Sequence, residues 1–155
     1  MNIAKHGVID QSLINRKTDY LYRVSIKAVI KDDKGHVLVV KEDGKTWWDL
    51  PGGGMDHGDD VRTAIKRELY EEVGLDCNFS KTIIAVEDPK YLEFAGVLQL
   101  RLIFEVFPEV LPSIDSGEAD EVCYLDPASL KDSDNPVERK VYEYANRSLS
   151  SNTFS

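Results

Sequence analysis

Apolar and polar residues alternate over positions 24–30, with Val24, Ile26, Ala28 and Ile30 on one side and Ser25, Lys27 and Val29 on the other. That is the period of a half-buried strand. Asp32, Asp33, Lys34 and Gly35 then read as a turn, and residues 36–41 (HVLVVK) as a second strand returning beside the first as a hairpin. A longer alternation over 98–106 puts Leu98, Leu100, Leu102, Phe104 and Val106 on one face and Gln99, Arg101, Ile103 and Glu105 on the other. It predicts a long strand central to the sheet. Shorter β-rich runs at 82–86 and 121–125 predict further strands.

Two segments change to helical spacing. The first spans 60–73; the second opens on Asn135 and Pro136, a cap followed by proline at the first helical position. Val137, Val141, Tyr144, Ala145 and Leu149 form the apolar stripe of the second helix, which is expected simply to cover the sheet. Hairpin-connected strands with few helices predict an α+β fold with a mixed sheet rather than a repeating βαβ wind. Residues 1–19 read as an N-terminal arm, 20–148 as a single domain and 149–155 as a flexible tail.

Composition narrows the partners. A chain of 155 residues with 42% hydrophobic residues can bury a core without disulfides. Its net charge of -9 opposes general electrostatic binding to nucleic acid or an anionic membrane. Cys77 and Cys123 form no CxxC pair and read as reduced thiols. The first thirty residues contain neither a signal-peptide core nor a spanning run, so a soluble cytoplasmic protein is expected.

Chemistry concentrates in one segment. Gly52, Gly53 and Gly54 suggest a tight bend or a close approach of main chain to a ligand. No Gly-Lys-Ser/Thr follows them, and Val61 and Arg67 break the EF-hand pattern. On a wheel of about 100° per residue starting at Val61, the apolar Ile65, Leu69 and Val73 fall at roughly 40°, 80° and 120°. Arg62, Thr63, Lys66, Arg67 and Tyr70 occupy the opposite, solvated sector. Glu68, Glu72 and Glu71, at roughly 340°, 20° and 280°, do not. Like charges at i, i+3 and i+4 repel, and acids near a helix C-terminus oppose the macrodipole by about 0.3 to 1 kcal/mol. A divalent cation removes both penalties, since carboxylate oxygens are the ligands that Mg²⁺ or Mn²⁺ accepts.

Gly53, five residues, Asp59, seven residues, then Arg67-Glu68-Leu69-Tyr70-Glu71-Glu72-Val73-Gly74-Leu75 resembles the Nudix box of the Nudix (MutT-like) hydrolases. Eight of nine fixed positions match, and Asp59 stands where the family has Glu. Trp48-Asp49-Leu50-Pro51-Gly52-Gly53 resembles the family's lead-in, and residues 121–125 its closing strand. The resemblance implies a Nudix-like α/β/α sandwich and Mg²⁺- or Mn²⁺-assisted attack of water on a phosphorus of a nucleoside diphosphate linked to X. The products would be a nucleoside monophosphate and phosphorylated X. It further implies that Glu68, Glu71, Glu72 and the main-chain carbonyl of Gly52 hold metal, that Glu68 helps deprotonate the attacking water, and that Arg67 orients the neighbouring acids. Bound cations would make an acidic site locally attractive to a polyphosphate.

Asp56, His57 and Asp59 depart from the family's usual Glu, Pro and Glu. Asp59 is one methylene shorter and is expected to keep its role at reduced efficiency. His57 reads as a solvated loop residue. The family often recruits an acid from outside the box; the candidates are Glu118, Asp120 and Glu121, with Glu118 and Glu121 preferred. For substrate, Gly53 and Gly54 with Arg23 or Arg101 are candidates for phosphate, and Tyr91, Phe94 and Trp47 for stacking on a base. Nucleoside triphosphates, including oxidised deoxynucleotides, rank above ADP-ribose and nucleotide sugars, with dinucleoside polyphosphates and capped RNA ends below. The competing reading is a nucleotide-binding regulator that has lost catalysis on the same fold. A homodimer is compatible with either.

Overall fold

The protein is described by a computed structural model over residues 22–147, so the expected N-terminal arm and tail, and Leu149 of the second helix, lie outside the described residues. In chain order the elements are strands β1 (Tyr22–Val29) and β2 (Val37–Lys41), helix α1 (Val61–Val73), strands β3 (Phe79–Val86), β4 (Lys90–Leu92), β5 (Val97–Pro108) and β6 (Glu121–Leu125), and helix α2 (Pro136–Asn146). A short 3₁₀ turn, Pro127–Leu130, precedes α2.

β5 is central, as its long alternation predicts. β1 lies along it in parallel, from Tyr22 opposite Leu98 to Val29 opposite Glu105, and β3 and β4 pair with it antiparallel on the other side. β2 and β6 form a separate antiparallel pair, Val37 opposite Leu125 and Lys41 opposite Glu121. The sheet is therefore mixed, and helices flank it.

The expected hairpin is corrected. The turn forms, with Gly35 N–H donating to Asp32 O at 3.1 Å, but pairing between the arms stops near the Lys31–Val37 bridge. β1 has no edge left for β2. β5 takes one side, and the segment after Leu50 takes the other: Ala28 N–H donates to Pro51 O, Ile26 N–H to Gly53 O, and Met55 N–H to Val24 O, each at 2.9 Å.

Half-burial of β1 is also corrected, because Ser25, Lys27 and Val29 are buried along with Ile26 and Ala28. Its apolar face, with Leu38, Val40, Phe104 and Val106, packs on Ala64, Ile65, Leu69 and Val73 of α1. On the other side Val29, Val37, Val39, Leu50 and Ile103 meet Leu130 and the Val141, Tyr144 and Ala145 stripe of α2. Covering the sheet is thus what α2 does.

The second helix begins where its capping residue predicts, and the first begins on Asp60, which the structure shows to be its cap. Asp60 accepts from Thr63 N–H at 2.7 Å, and Asn135 accepts from Val137 N–H at 2.8 Å with Pro136 next. α1 ends on Gly74 at φ 67°, the left-handed cap that releases the chain toward β3.

Candidate active site

The lead-in loop packs closely on β1 at Gly52 and on α1 at Gly53 because both residues lack a side chain. A Cβ on Gly52 would stand 2.2 Å from Ile26 O, and the residue's φ of 138° is itself unfavourable for a side chain. A Cβ on Gly53 would stand 2.6 Å from the Glu68 carboxyl. Main chain thus reaches the acids of α1 directly: Gly52 N–H donates to a Glu72 carboxylate oxygen at 2.7 Å. Beneath the loop, the buried Lys27 ammonium donates to Leu50 O at 2.9 Å and Gly52 O at 3.1 Å, with Asp49 at 3.4 Å. One lone pair of the Gly52 carbonyl is therefore engaged from below.

Arg67 is not the solvated residue its wheel position suggests. Its guanidinium donates to Asp59 at 2.9 Å, Glu68 at 2.7 Å and Gly54 O at 3.0 Å, with Asp56 at 3.6 Å and Glu71 at 4.0 Å. Asp59 thus reaches Arg67 despite its missing methylene, and also accepts from Asp56 N–H at 3.0 Å. That backbone hydrogen bond, then the Arg67 contact, holds the Asp59 carboxyl below its ordinary pKa. Burial works against charge on Arg67, but its bonds to Asp59 and Glu68 outweigh it and raise the pKa.

The glutamates of α1 differ in exposure. Glu68 and Glu72 are 9% and 7% exposed, whereas the Glu71 side chain is 49% exposed at the rim. Desolvation raises the pKa of Glu68, with Arg67 opposing it. Glu72 is raised further, by burial first and then by a hydrogen bond to the carboxyl of Glu42. The region around Glu72 favours a positive partner or a proton.

These acids line a cavity of about 330 Å³ together with Glu42, Asp43, Gly44, Glu118 and Asp120. Glu118 is brought there by helix capping. Its N–H donates to Glu71 O at 2.8 Å, and Ala119 N–H donates to Glu72 O at 3.3 Å, satisfying carbonyls that the helix end leaves free. Asp120 uses an oxygen to accept from Gly44 N–H at 3.0 Å. Glu121, one of the two preferred outside acids, instead faces Lys41 at 3.4 Å and does not line the cavity. Alternation along β6 turns it away. Glu42 is the acid that sequence reasoning missed, since it lies outside the box and outside the acidic stretch; the Asp43-Gly44 turn signal beside it was the available clue.

A second cavity of about 300 Å³ opens on the α2 side of the sheet, lined by Asp49, Leu50, Glu87, Gln99, Arg101, Lys140, Tyr144 and neighbours. Arg101 lies 3.6 Å from Asp49 and 3.7 Å from Glu87, whose carboxylate accepts from the Tyr144 hydroxyl at 2.7 Å. Arg23 lies against Gly54, whose Cβ would stand 2.5 Å from its guanidinium. Tyr91 and Phe94, 57% and 85% exposed, line neither cavity, and nor does Trp47. β4 and the turn after it leave Tyr91 and Phe94 exposed. His57 is exposed, as expected.

The acidic cavity suits a hard divalent cation by its donors: carboxylates surround it, and no Lys or Arg lines it. Among the described residues no three such side chains already stand at ligating geometry, because Arg67 holds Glu68 and the Gly52 N–H holds Glu72. Among these residues, too, no helix is long and apolar enough to cross a membrane.

Comparison with known proteins agrees with this arrangement. An RNA pyrophosphohydrolase from Ruthia magnifica subsp. Calyptogena magnifica is 40% identical over 73 residues, which cover 47% of this chain and 40% of that relative. An RNA pyrophosphohydrolase from Dinoroseobacter shibae is 28% identical over 79% of this chain and 88% of its own length. The chain thus spans less than half the length of the first of these relatives. In structure, a MutT protein from Methanosarcina mazei Go1 superposes with a TM-score of 0.64 at 20% identity, covering 84% of this chain and 97% of the other, a likeness of fold. The NUDIX domain model matches residues 21–145, and with the glycine loop, Arg67 and the α1 glutamates in place, the chain belongs to the NUDIX domain family.

Proposed function

We propose that the chain hydrolyses the phosphoanhydride of a nucleoside diphosphate linked to a group X, giving a nucleoside monophosphate and phosphorylated X, with Mg²⁺ or Mn²⁺ as cofactor. The observation that carries this reading is the single cavity onto which Glu68, Glu71 and Glu72 open beside the Gly52 loop. A bound divalent cation would supply neutralisation of phosphate oxygens and a more acidic water. The chain's own residues do the rest. Glu68 stands as the proton acceptor for water, its carboxylate oriented by Arg67, which Asp59 holds in turn. Lys27 fixes the loop that presents the Gly52 carbonyl, and Glu118 is the favoured acid from outside the helix.

Nucleoside triphosphates, oxidised deoxynucleotides among them, rank first as substrates, and ADP-ribose or a nucleotide sugar second. Arg101 and Arg23 remain the substrate-side cations. RNA ends form a further reading, favoured by the likeness to the Dinoroseobacter enzyme over most of the chain and opposed by the net charge of -9. A soluble cytoplasmic protein with one catalytic domain over 20–148 fits this chemistry. Exposed Ile83 and Val86 on β3 offer apolar surface to a homodimer, which sedimentation would detect.

The test is a panel of nucleoside triphosphates, ADP-ribose, nucleotide sugars and a 5′-triphosphorylated RNA oligonucleotide, assayed with Mg²⁺ and with Mn²⁺ and the released phosphate species identified. Glu72→Gln is expected to remove most turnover while leaving the circular dichroism spectrum unchanged. A folded, fully active variant would overturn the assignment. Nucleotide binding without hydrolysis at saturating Mg²⁺ would favour the non-catalytic regulator.

A further inference from the structure

Resting on the hydrolase reading, we propose that Asp49 is a positioning residue for two groups at once. Its carboxylate holds Lys27 beneath the Gly52 loop and Arg101 at the second cavity, so one charge sets both turnover and substrate affinity.

The main chain of Asp49 is fixed first. Its N–H donates to Val40 O at 3.0 Å and its carbonyl accepts from Val40 N–H at 2.9 Å, which ties it to β2. One carboxylate oxygen accepts from Leu50 N–H at 2.7 Å. The other stands 3.4 Å from the Lys27 ammonium and 3.6 Å from the Arg101 guanidinium. Register explains why two cations meet there. Ser25 lies opposite Arg101 and Lys27 opposite Ile103, so Lys27 and Arg101 share the face of the sheet that α2 covers. Three strands, β1, β2 and β5, thus converge on one carboxylate.

Each cation needs that charge for its own reason. Lys27 is only 9% exposed, and a buried ammonium is costly without an opposite charge. Its other contacts, Leu50 O at 2.9 Å and Gly52 O at 3.1 Å, are neutral. Asp49 is what lets the ammonium stay under the loop. Arg101 stands between Asp49 and Glu87, the latter at 3.7 Å and itself accepting from the Tyr144 hydroxyl. Neither contact is short enough for a hydrogen bond, so the guanidinium is aimed into the cavity by charge while its N–H groups remain for an anionic or carbonyl group of the substrate. A displaced Lys27 loosens the loop that meets Glu72 through Gly52 N–H at 2.7 Å, which lowers kcat. A displaced Arg101 weakens what the second cavity holds, which raises KM.

The experiment measures kcat and KM on the panel nucleotide that the wild type hydrolyses fastest, for Asp49→Asn, Lys27→Met, Arg101→Gln and the Asp49→Asn/Lys27→Met double variant. Amide hydrogen exchange at Gly52 and Met55 is followed in the metal-free full chain. Lys27→Met is expected to lower kcat about tenfold and speed both amides, with KM changing less than about threefold. Arg101→Gln should raise KM about tenfold and leave the amides as they are. Asp49→Asn keeps the shape and the Leu50 hydrogen bond, yet should do both. The double variant should have the kcat of Lys27→Met alone, because the two residues act on the loop in series. Wild-type kcat and KM in Asp49→Asn, or a double variant whose kcat falls by the product of the single losses, would overturn the proposal; Asp49→Asn decides alone if Lys27→Met does not fold. A wild type that hydrolyses no member of the panel would overturn the hydrolase reading, and unchanged exchange in Asp49→Asn would separately overturn its hold on the loop.

Discussion

Asp59 shows how one residue can depart from a family pattern without leaving its place. A glutamate would reach Arg67 from further away; the aspartate manages because Asp56 N–H fixes its carboxylate at 3.0 Å and the guanidinium comes to it at 2.9 Å. Arg67 in turn orients Glu68. Asp59→Asn keeps the shape and removes the charge, so it should cost about 1.5 to 3 kcal/mol in denaturant unfolding and lower kcat about tenfold through Glu68. Asp59→Glu should preserve activity. Steady-state kinetics decide: wild-type turnover in the asparagine variant, or a loss in the glutamate variant, would separate Asp59 from the Arg67 relay.

At the scale of elements, the two helices do different work, and their ends show it. Asn135 caps α2, which contributes no residue to the acidic cavity, so Asn135→Ala should cost about 0.5 to 2 kcal/mol and leave kcat unchanged. Gly117 lies where the capping loop crosses α1, and a Cβ there would stand 2.2 Å from Glu72 O at a backbone φ of 132°. Gly117→Ala should destabilise by about 1 to 3 kcal/mol and also lower kcat, by shifting the loop that carries Glu118. Equal effects of the two variants on kcat would contradict this division. These ends also mark what the sequence makes legible. Asn135 and Pro136 signal a helix start through a local cap and a fixed φ, and the α1 acids declare themselves through unfavourable spacing. The failed hairpin, the outward Tyr91 and Phe94, and Glu42 all depend on which strand edge is free or which loop braces another. Such long-range packing leaves no period in the chain.

For the whole molecule, the charge of -9 is unevenly stored. Glu68 and Glu72 sit buried with raised pKa values, burial being the first cause in both. A group raised in the folded state contributes stability that is fully present below its unfolded value and is lost as pH rises through the folded one. Asp59, held below its ordinary value, does the reverse, and its contribution is lost only as pH falls through that lowered value. Around neutral pH the Glu72 effect is therefore the one that changes, since burial pushes that carboxyl up to about 9. The metal-free protein should lose stability as pH rises from about 5.5 to about 8.5. Mg²⁺ replaces the proton retained at Glu72, so the rise in Tm that it brings should grow over the same interval. Glu72→Gln, with no proton to release there, should flatten both trends. Thermal unfolding in EDTA and in excess Mg²⁺ checks the sign. A Mg²⁺-induced shift that is independent of pH, or as steep in Glu72→Gln as in the wild type, would mean that these buried acids do not couple cation binding to folding.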